Sequence, residues 1–312
     1  MIKLGMVFPG QGSQAIGMLN TLNAAYPQVK RTFAEASTVL NFDLWDLVQN
    51  GPEEILNDTR NTQPALLAAG VAVWRVWHSC AGSNPVIMAG HSLGEYSALV
   101  CAGAIEFTDA VSIVAARAQF MQAAVPKGIG AMAAILGLDD EKIQAVCNNT
   151  ASNNEVVAAV NFNAPGQVVI AGHAQAVTSA CQQAKQAGAK KTIILPVSVP
   201  SHCALMQPAA PQLAQQLARI AIQAPRIPVI HNACSATANE PQQIRDVLAL
   251  QLYHPVNWTK TIQQFAHRNV THVIECGPGK VLTGLNKRID PNIRTLPVFD
   301  PTTLDQALKE LT

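Results

Sequence analysis

The stretch Met88-Ala89-Gly90-His91-Ser92-Leu93-Gly94-Glu95-Tyr96-Ser97-Ala98 constrains this chain more than any other. The apolar run at 85–89 reads as a buried strand, and 95–102 reads as a helix. The turn between them has room for little besides backbone, which is what glycines at 90 and 94 provide. In that setting G-x-S-x-G raises Ser92 on a strand-to-helix turn with its hydroxyl free to project. The helix behind it aims free N–H groups and the positive end of its dipole at whatever sits beside the serine. The Leu93 N–H is the natural donor to an oxyanion there. A turn of purely structural purpose is the alternative reading of the same residues.

Strands and helices alternate through the rest of the chain. Residues 4–8 form an apolar run that ends in Pro9-Gly10-Gln11-Gly12, a first strand and its turn. Helical patterns cover 64–77, with Pro64 in the first turn, and 108–125, with Thr108 as cap. The pattern changes after Val125-Pro126-Lys127-Gly128. A strand at 131–136, a helix at 139–148 and a strand at 156–161 follow. After the turn Ala164-Pro165-Gly166 come a strand at 167–171, a helix at 174–187 and a strand at 192–197. That β-α-β-β-α-β order is the ferredoxin-like arrangement. The chain then resumes with helices at 212–222 and 242–252 and strands at 227–231 and 271–276. These readings predict an α/β protein with a mostly parallel sheet, its large domain built from 1–125 and 199–312, and a small ferredoxin-like domain inserted at 126–198.

Composition narrows the function classes. Apolar residues make up 49% and charged residues 13%, which suits a compact core and argues against disorder. A net charge of +1 without any basic run predicts no nucleic-acid partner. The longest apolar stretch, 65–74, stops at Arg75, short of a membrane span, and the N-terminal apolar run is too short for a signal peptide. Seven scattered cysteines without a C-x-x-C predict reduced thiols and a cytoplasmic setting, with neither a disulfide framework nor a zinc site. The eight histidines lack metal spacing; His267 and His272 lie five apart, a poor match to one helical face.

A nucleophilic serine needs a base. His78 and His267 fall on helix surfaces, and His91, beside Ser92, points away from it in an ordinary elbow. His202 lies in Val199-Pro200-Ser201-His202-Cys203, where proline fixes the chain direction. That rigidity suits a base and suits a structural turn equally. No aspartate or glutamate occurs between Val156 and Asn239, so the surroundings of His202 favour orientation by a neutral acceptor, a Ser–His dyad rather than a triad. The Gly10 loop fits a loose dinucleotide fingerprint, but the proline before it is awkward for that turn, and the Gln11 N–H is better placed as a second oxyanion donor. Arg117 sits among Ile113, Val114, Phe120 and Met121 on an apolar helix face, where it needs an anion. An internal ion pair and a guanidinium fork for a substrate carboxylate both meet that need. Gly277-Pro278-Gly279-Lys280 lacks the full phosphate-loop pattern and reads as a strand-to-helix turn. Lys280, Lys287 and Arg288 then share one face of the next helix, solvated or turned to an acidic partner.

The motifs PGQGSQ, TQPAL, GHSLGEY, NFNAPGQVVIAG, VPSHCALM, QLYHPVNW and GPGKVLTGL, with Arg117 in its apolar helix, occur in an order that closely resembles the malonyl-CoA:acyl carrier protein transacylases of type II fatty acid synthesis. The resemblance runs from about Val7 to Arg288. Two departures stand apart from the motifs: Ala-Cys-Ser after Asn232, and the tail beyond Arg288. The resemblance implies an α/β-hydrolase-like large domain with an inserted ferredoxin-like subdomain. It implies Ser92 as nucleophile, His202 as general base and acid, and the backbone of Gln251 as the acceptor that orients His202. Gln11 and Leu93 would supply the oxyanion N–H groups, Arg117 would grip the malonyl carboxylate, and Asn163 would form part of the pocket wall. Malonyl-CoA and acyl carrier protein are the implied partners of a monomer with no cofactor beyond the coenzyme A thioester. A serine esterase or thioesterase built on the same elbow is the competing expectation, and it leaves Arg117 without a task.

Overall fold

The computed structural model describes residues 2–152, 154–197 and 199–311. Ten strands form two sheets: β1 Leu4–Phe8, β2 Ile87–Gly90, β3 Gly130–Leu136, β4 Val157–Ala164, β5 Gln167–His173, β6 Lys191–Ile194, β7 Val229–His231, β8 Ala236–Thr237, β9 His272–Cys276 and β10 Arg294–Val298. The larger sheet has the order β10-β9-β1-β2-β7-β8 and is parallel except for β8, which runs antiparallel to β7. Every residue of β1 and β2 is buried, as expected of central parallel strands covered on both faces. Their alternating side chains feed two cores. Met6, Phe8 and Met88 pack with the helices Thr59–Ser79, Gly94–Cys101 and Phe107–Ala124; Val7, Ile87 and Ala89 pack with Trp258, Ile262 and Phe265 of the helix Trp258–His267.

The smaller sheet, β4-β5-β3-β6, is antiparallel throughout, and the helices Asp140–Thr150 and Ala174–Gln186 cover one face. This is the ferredoxin-like order. Its other face carries Met132, Val160, Val169 and Ala171 against Cys203, the neighbour of His202. Hydrogen bonds from elements beside the larger sheet hold the smaller one. Phe162 N donates to Val256 O at 2.9 Å and Val256 N to Val160 O at 2.8 Å. Arg288, from the helix Val281–Ile289, donates to the Pro165 carbonyl and to Gln167 Oε1. Lys280 and Lys287 stay exposed, but Lys280 precedes the helix rather than lying on it, so the three cations do not form one helical face. The expected boundary residue Ser198 and the expected domain ends Met1 and Thr312 lie outside the described residues.

Several element limits differ from expectation for local reasons. Asp58 caps the long helix at Thr59 through its side chain, which accepts from Arg60 N, so Pro64 lies inside the helix instead of in its first turn. The next long helix begins at Phe107, with Glu106 at the cap position and Thr108 already helical. β6 ends at Ile194, just before Leu195-Pro196, and proline has no N–H to continue the ladder. No helix of the described residues is long and apolar enough to cross a membrane.

The Gly277-Pro278-Gly279 turn joins β9 to the helix Val281–Ile289, and a buried carboxylate steadies it. Glu275 accepts from Leu282 N at 2.9 Å and from Thr283 N and Oγ1, both at 2.7 Å. Burial pushes its acid up in spite of these donors. Replacing Glu275 by Ala strands the helix-end donors, and we expect a loss of about 2–3 kcal/mol, read as a lower urea midpoint at unchanged slope.

Candidate active site

The site is built at the carboxyl ends of β1 and β2. Ser92 takes a left-handed backbone, φ 52°, which a serine holds only when its neighbours enforce it. Gly94 N donates to His91 O and Glu95 N to Ser92 O, at 2.9 and 3.1 Å, closing the elbow into the helix. The glycines are sterically required: a Cβ on Gly90 would overlap the Gly94 carbonyl group, and one on Gly94 would overlap the Phe8 carbonyl. Asn232, which follows β7, clamps the turn from outside. Its Oδ1 accepts from Ser92 N and its Nδ2 donates to Gly90 O, both at 2.7 Å.

The structure brings His202 to Ser92 and turns His91 away. Ser92 Oγ lies 2.7 Å from His202 Nε2. His202 Nδ1 lies 2.8 Å from the Gln251 carbonyl oxygen, and His202 N donates to Leu252 O at 2.9 Å. A carbonyl only accepts, so Nδ1 carries the proton and Nε2 is left to accept from the serine hydroxyl. Burial first, then the charge of Arg117, push the imidazole down to about 3, so the ring is neutral at ordinary pH. His202 shares with Ser92 a positive φ, 67°. His91 Nε2 instead lies 2.8 Å from Asn163 Oδ1.

Arg117 is fully buried in the middle of its helix. Its two terminal nitrogens donate to Gln63 Oε1 at 2.7 Å and Gln251 Oε1 at 2.9 Å, and its guanidinium carbon stands 5.6 Å from the Tyr96 ring centre. Its Nε has no partner, and no carboxylate among the described residues forms an ion pair with it. Of the two ways to tolerate this arginine, the internal ion pair is therefore not the one used. The cation rests on two neutral amide oxygens.

Gln11, Ser92 and His202 line a cavity of about 400 Å³, together with Met132 of β3 and with Leu195 and Val199, which follow β6. Gln11 Oε1 accepts from Thr59 Oγ1 at 3.3 Å. Leu93 opens the helix Gly94–Cys101, whose end no side chain caps. A Cβ on Gly10 would press into the His91 carbonyl, so this glycine serves the approach of the loop to the elbow. Asn163 stands behind His91, while Asn161 lines the cavity. Two register shifts in β4, between 159 and 161 and between 162 and 164, break the simple alternation that would put both on one face. No group of His, Cys, Asp or Glu among the described residues could hold a metal ion.

Sequence reasoning passed over Gln63, Asn232, His231 and Glu95. Glu95 is fully buried, with Oε1 on His231 Nδ1 at 2.7 Å and Oε2 on Asn232 N at 2.9 Å and Gln251 Nε2 at 2.8 Å. The one available signal was a polar pair, His231-Asn232, at the end of an apolar strand, and a glutamate on a helix with no other charge.

Known proteins resemble this chain along nearly its whole length. The model of the acyl transferase domain matches residues 6–289. A malonyl CoA-acyl carrier protein transacylase of Salmonella typhimurium is 55% identical over 310 residues, covering 99% of this chain and 100% of the relative. The solved malonyl CoA-acyl carrier protein transacylase of Coxiella burnetii superposes with a TM-score of 0.98 at 50% identity, over 100% of this chain and 98% of that one. A malonyl-transacylase solved in complex with a type II PKS acyl-carrier protein gives 0.97 at 53% identity, over 99% of both chains. With fold and sequence in agreement along nearly its whole length, the chain belongs to the acyl transferase domain family, among the malonyl CoA-acyl carrier protein transacylases.

Proposed function

We propose that the chain moves a malonyl group from malonyl-CoA to the phosphopantetheine thiol of acyl carrier protein, through an ester on Ser92. The observation that carries this reading is a Ser–His pair beside a buried arginine that has amide oxygens and no carboxylate as partners. Ser92 Oγ attacks the thioester carbonyl as His202 Nε2 takes its proton. The Gln11 and Leu93 N–H groups hold the oxyanion. The tetrahedral intermediate collapses, the carbon–sulfur bond breaks, and the imidazolium returns the proton to the leaving coenzyme A thiolate. In the second half the carrier thiol gives its proton to His202, its sulfur attacks the ester, and Ser92 leaves with the proton restored. Side chains and substrate thiols carry each step, so coenzyme A enters as substrate and no further cofactor is invoked.

Arg117 is the carboxylate clamp in this reading, with Asn163 acting on the pocket through His91. Acetyl offers the guanidinium nothing, whereas malonyl supplies the anion its surroundings lack. The Gln251 carbonyl orients His202 without adding charge. An uncharged orienter leaves the imidazole a modest base, which favours a thiol over water as acceptor and separates this site from the esterase reading. All these groups come from one chain, which suits a monomer, and the free cysteines suit the cytoplasm. We divide the chain at 126 and 199, so that the small domain roofs the cavity.

Three measurements test the reading. Intact-protein mass after brief mixing with malonyl-CoA should show a malonyl adduct on the wild type, none on Ser92→Ala, and discharge by a pantetheine thiol; free malonate accumulating without thiol would turn the assignment to a hydrolase. Arg117→Met keeps the volume and removes the fork, and the preference for malonyl over acetyl in acylation should fall at least about a hundredfold. For pH, the folded imidazole is held far below its unfolded value near 6.5. The ring stays neutral as pH falls through 6.5, so kcat/KM for acylation should hold level down to about pH 5 rather than halve near 6.5. Stability runs the other way, because the unfolded histidine takes up the proton first; it is full above 6.5 and declines as pH falls toward 3. Equilibrium unfolding against pH checks that sign.

A further inference from the structure

Glu95 is a buried carboxylate that the reaction does not use. It sits in the first turn of the helix Gly94–Cys101, fully buried, with no arginine or lysine bonded to it. Its oxygens accept from His231 Nδ1, Asn232 N and Gln251 Nε2, and the last contact has consequences for the site. Gln251 Nε2 also donates to the Ser92 carbonyl at 3.0 Å. Both acceptors, a carboxylate and a backbone carbonyl, lack any proton to give, so together they claim the amino side of the Gln251 amide. The carbonyl side then has one direction left, and it faces an Arg117 nitrogen at 2.9 Å. A flipped amide would set its carbonyl against the Glu95 carboxylate and its N–H groups against the guanidinium. The other arm of Arg117 is fixed in the same way: Gln63 Nε2 donates to Thr59 Oγ1 at 3.0 Å, which turns Gln63 Oε1 to the arginine.

We propose that Glu95 is a positioning residue for malonyl recognition, which fixes the Gln251 amide and thereby aims Arg117 at the substrate carboxylate. The inference rests on the reading of Arg117 as the carboxylate clamp. The route from Glu95 to the amide that holds Arg117 runs through Gln251, whereas its bond to Asn232 N leads to the serine turn. The backbone carbonyl of Gln251 that holds His202 is a separate contact, anchored by the chain itself, so the reactivity of the dyad and the recognition of the acyl group respond differently to the loss of Glu95.

The test is Glu95→Met, which keeps the length of the side chain and removes both oxygens, including the one that accepts from Gln251. Two reactions are followed on the whole chain. One is malonylation by malonyl-CoA, read by intact mass; the other is labelling of Ser92 by an uncharged alkyl fluorophosphonate, which requires the dyad and has no carboxylate for Arg117. The ratio of the malonylation rate constant to the phosphonylation rate constant should fall at least about tenfold, with the loss chiefly in KM for malonyl-CoA. Gln251→Met removes the amide and leaves the backbone carbonyl; it should lower the same ratio and stands in if Glu95→Met does not fold. A ratio within twofold of wild type in a folded variant, whether both rates fall or neither does, overturns the proposal. Phosphonylation of the wild type without any malonylation would overturn the clamp reading itself, a separate outcome.

Discussion

The site depends on one hydrogen bond between a side chain and the backbone, from His202 Nδ1 to the Gln251 carbonyl. It sets the tautomer, so the basic nitrogen is the one 2.7 Å from Ser92 Oγ. A carboxylate in the same place would raise the basicity of the ring by stabilising its protonated form. A carbonyl orients the ring with only a dipole, and the burial around it holds the imidazole neutral. The structure keeps its nearest glutamate occupied elsewhere: each oxygen of Glu95 is bonded to a donor other than His202. In the proposed reaction a base restrained in this way suffices for a thiol, which ionises far more readily than water.

Charge around this bond is arranged with the same economy. Arg117 and Glu95 are both fully buried, and the Gln251 amide stands between them, its oxygen on the cation and its nitrogen on the anion. Direct pairing would satisfy each charge and close the arginine to substrate. With an amide between them each charge is solvated by a dipole, and the guanidinium keeps neutral amides rather than a carboxylate of the chain as its partners. The same arrangement explains why discrimination is expected to be large. An acyl group without a carboxylate leaves a buried cation with neutral partners alone, and desolvated charge is far more costly to leave so than to pair.

What was legible in the sequence was whatever one segment determines alone. β1 is observed at 4–8 as expected, the elbow around Ser92 follows from Gly90 and Gly94, and the ferredoxin-like order follows from the spacing of its six elements. The empty stretch of acidic residues around His202 correctly pointed away from a local carboxylate, because absence over eighty residues is itself a local property. Contacts made across the fold were not legible. Gln63 and Arg117 are 54 residues apart, Arg117 and Gln251 134, and Ser92 and Asn232 140. Neutral amides carry no periodicity or spacing that marks them, so Gln63 and Asn232 read as ordinary polar residues until the sheets bring them together. Asn161 was not legible for a different reason: register shifts in β4 bring it to the cavity, with Asn163 behind His91. Pro64 was misplaced because the Asp58 cap begins its helix earlier than the apolar pattern does.

Two residues of the site, Ser92 and His202, hold left-handed backbones that their side chains disfavour, and each is held there by the distant C-terminal part of the chain. Asn232 grips the serine turn through Ser92 N and Gly90 O, while the histidine turn hangs on Leu252 O and Gln251 O. These anchors flank the helix Pro241–Leu250, whose buried Ile244 and Leu248 belong to the main core. The strain on both reacting residues is thus balanced against the packing of a single helix. Local bonds close the serine turn into its helix, and the long-range ones tie both turns to the residues that flank the helix Pro241–Leu250. The loops after β1 and β2 carry Gln11 and Ser92, and the return of the chain through 229–252 brings Asn232 to the serine turn and the Gln251 carbonyl to His202, whose Nε2 then lies 2.7 Å from Ser92 Oγ.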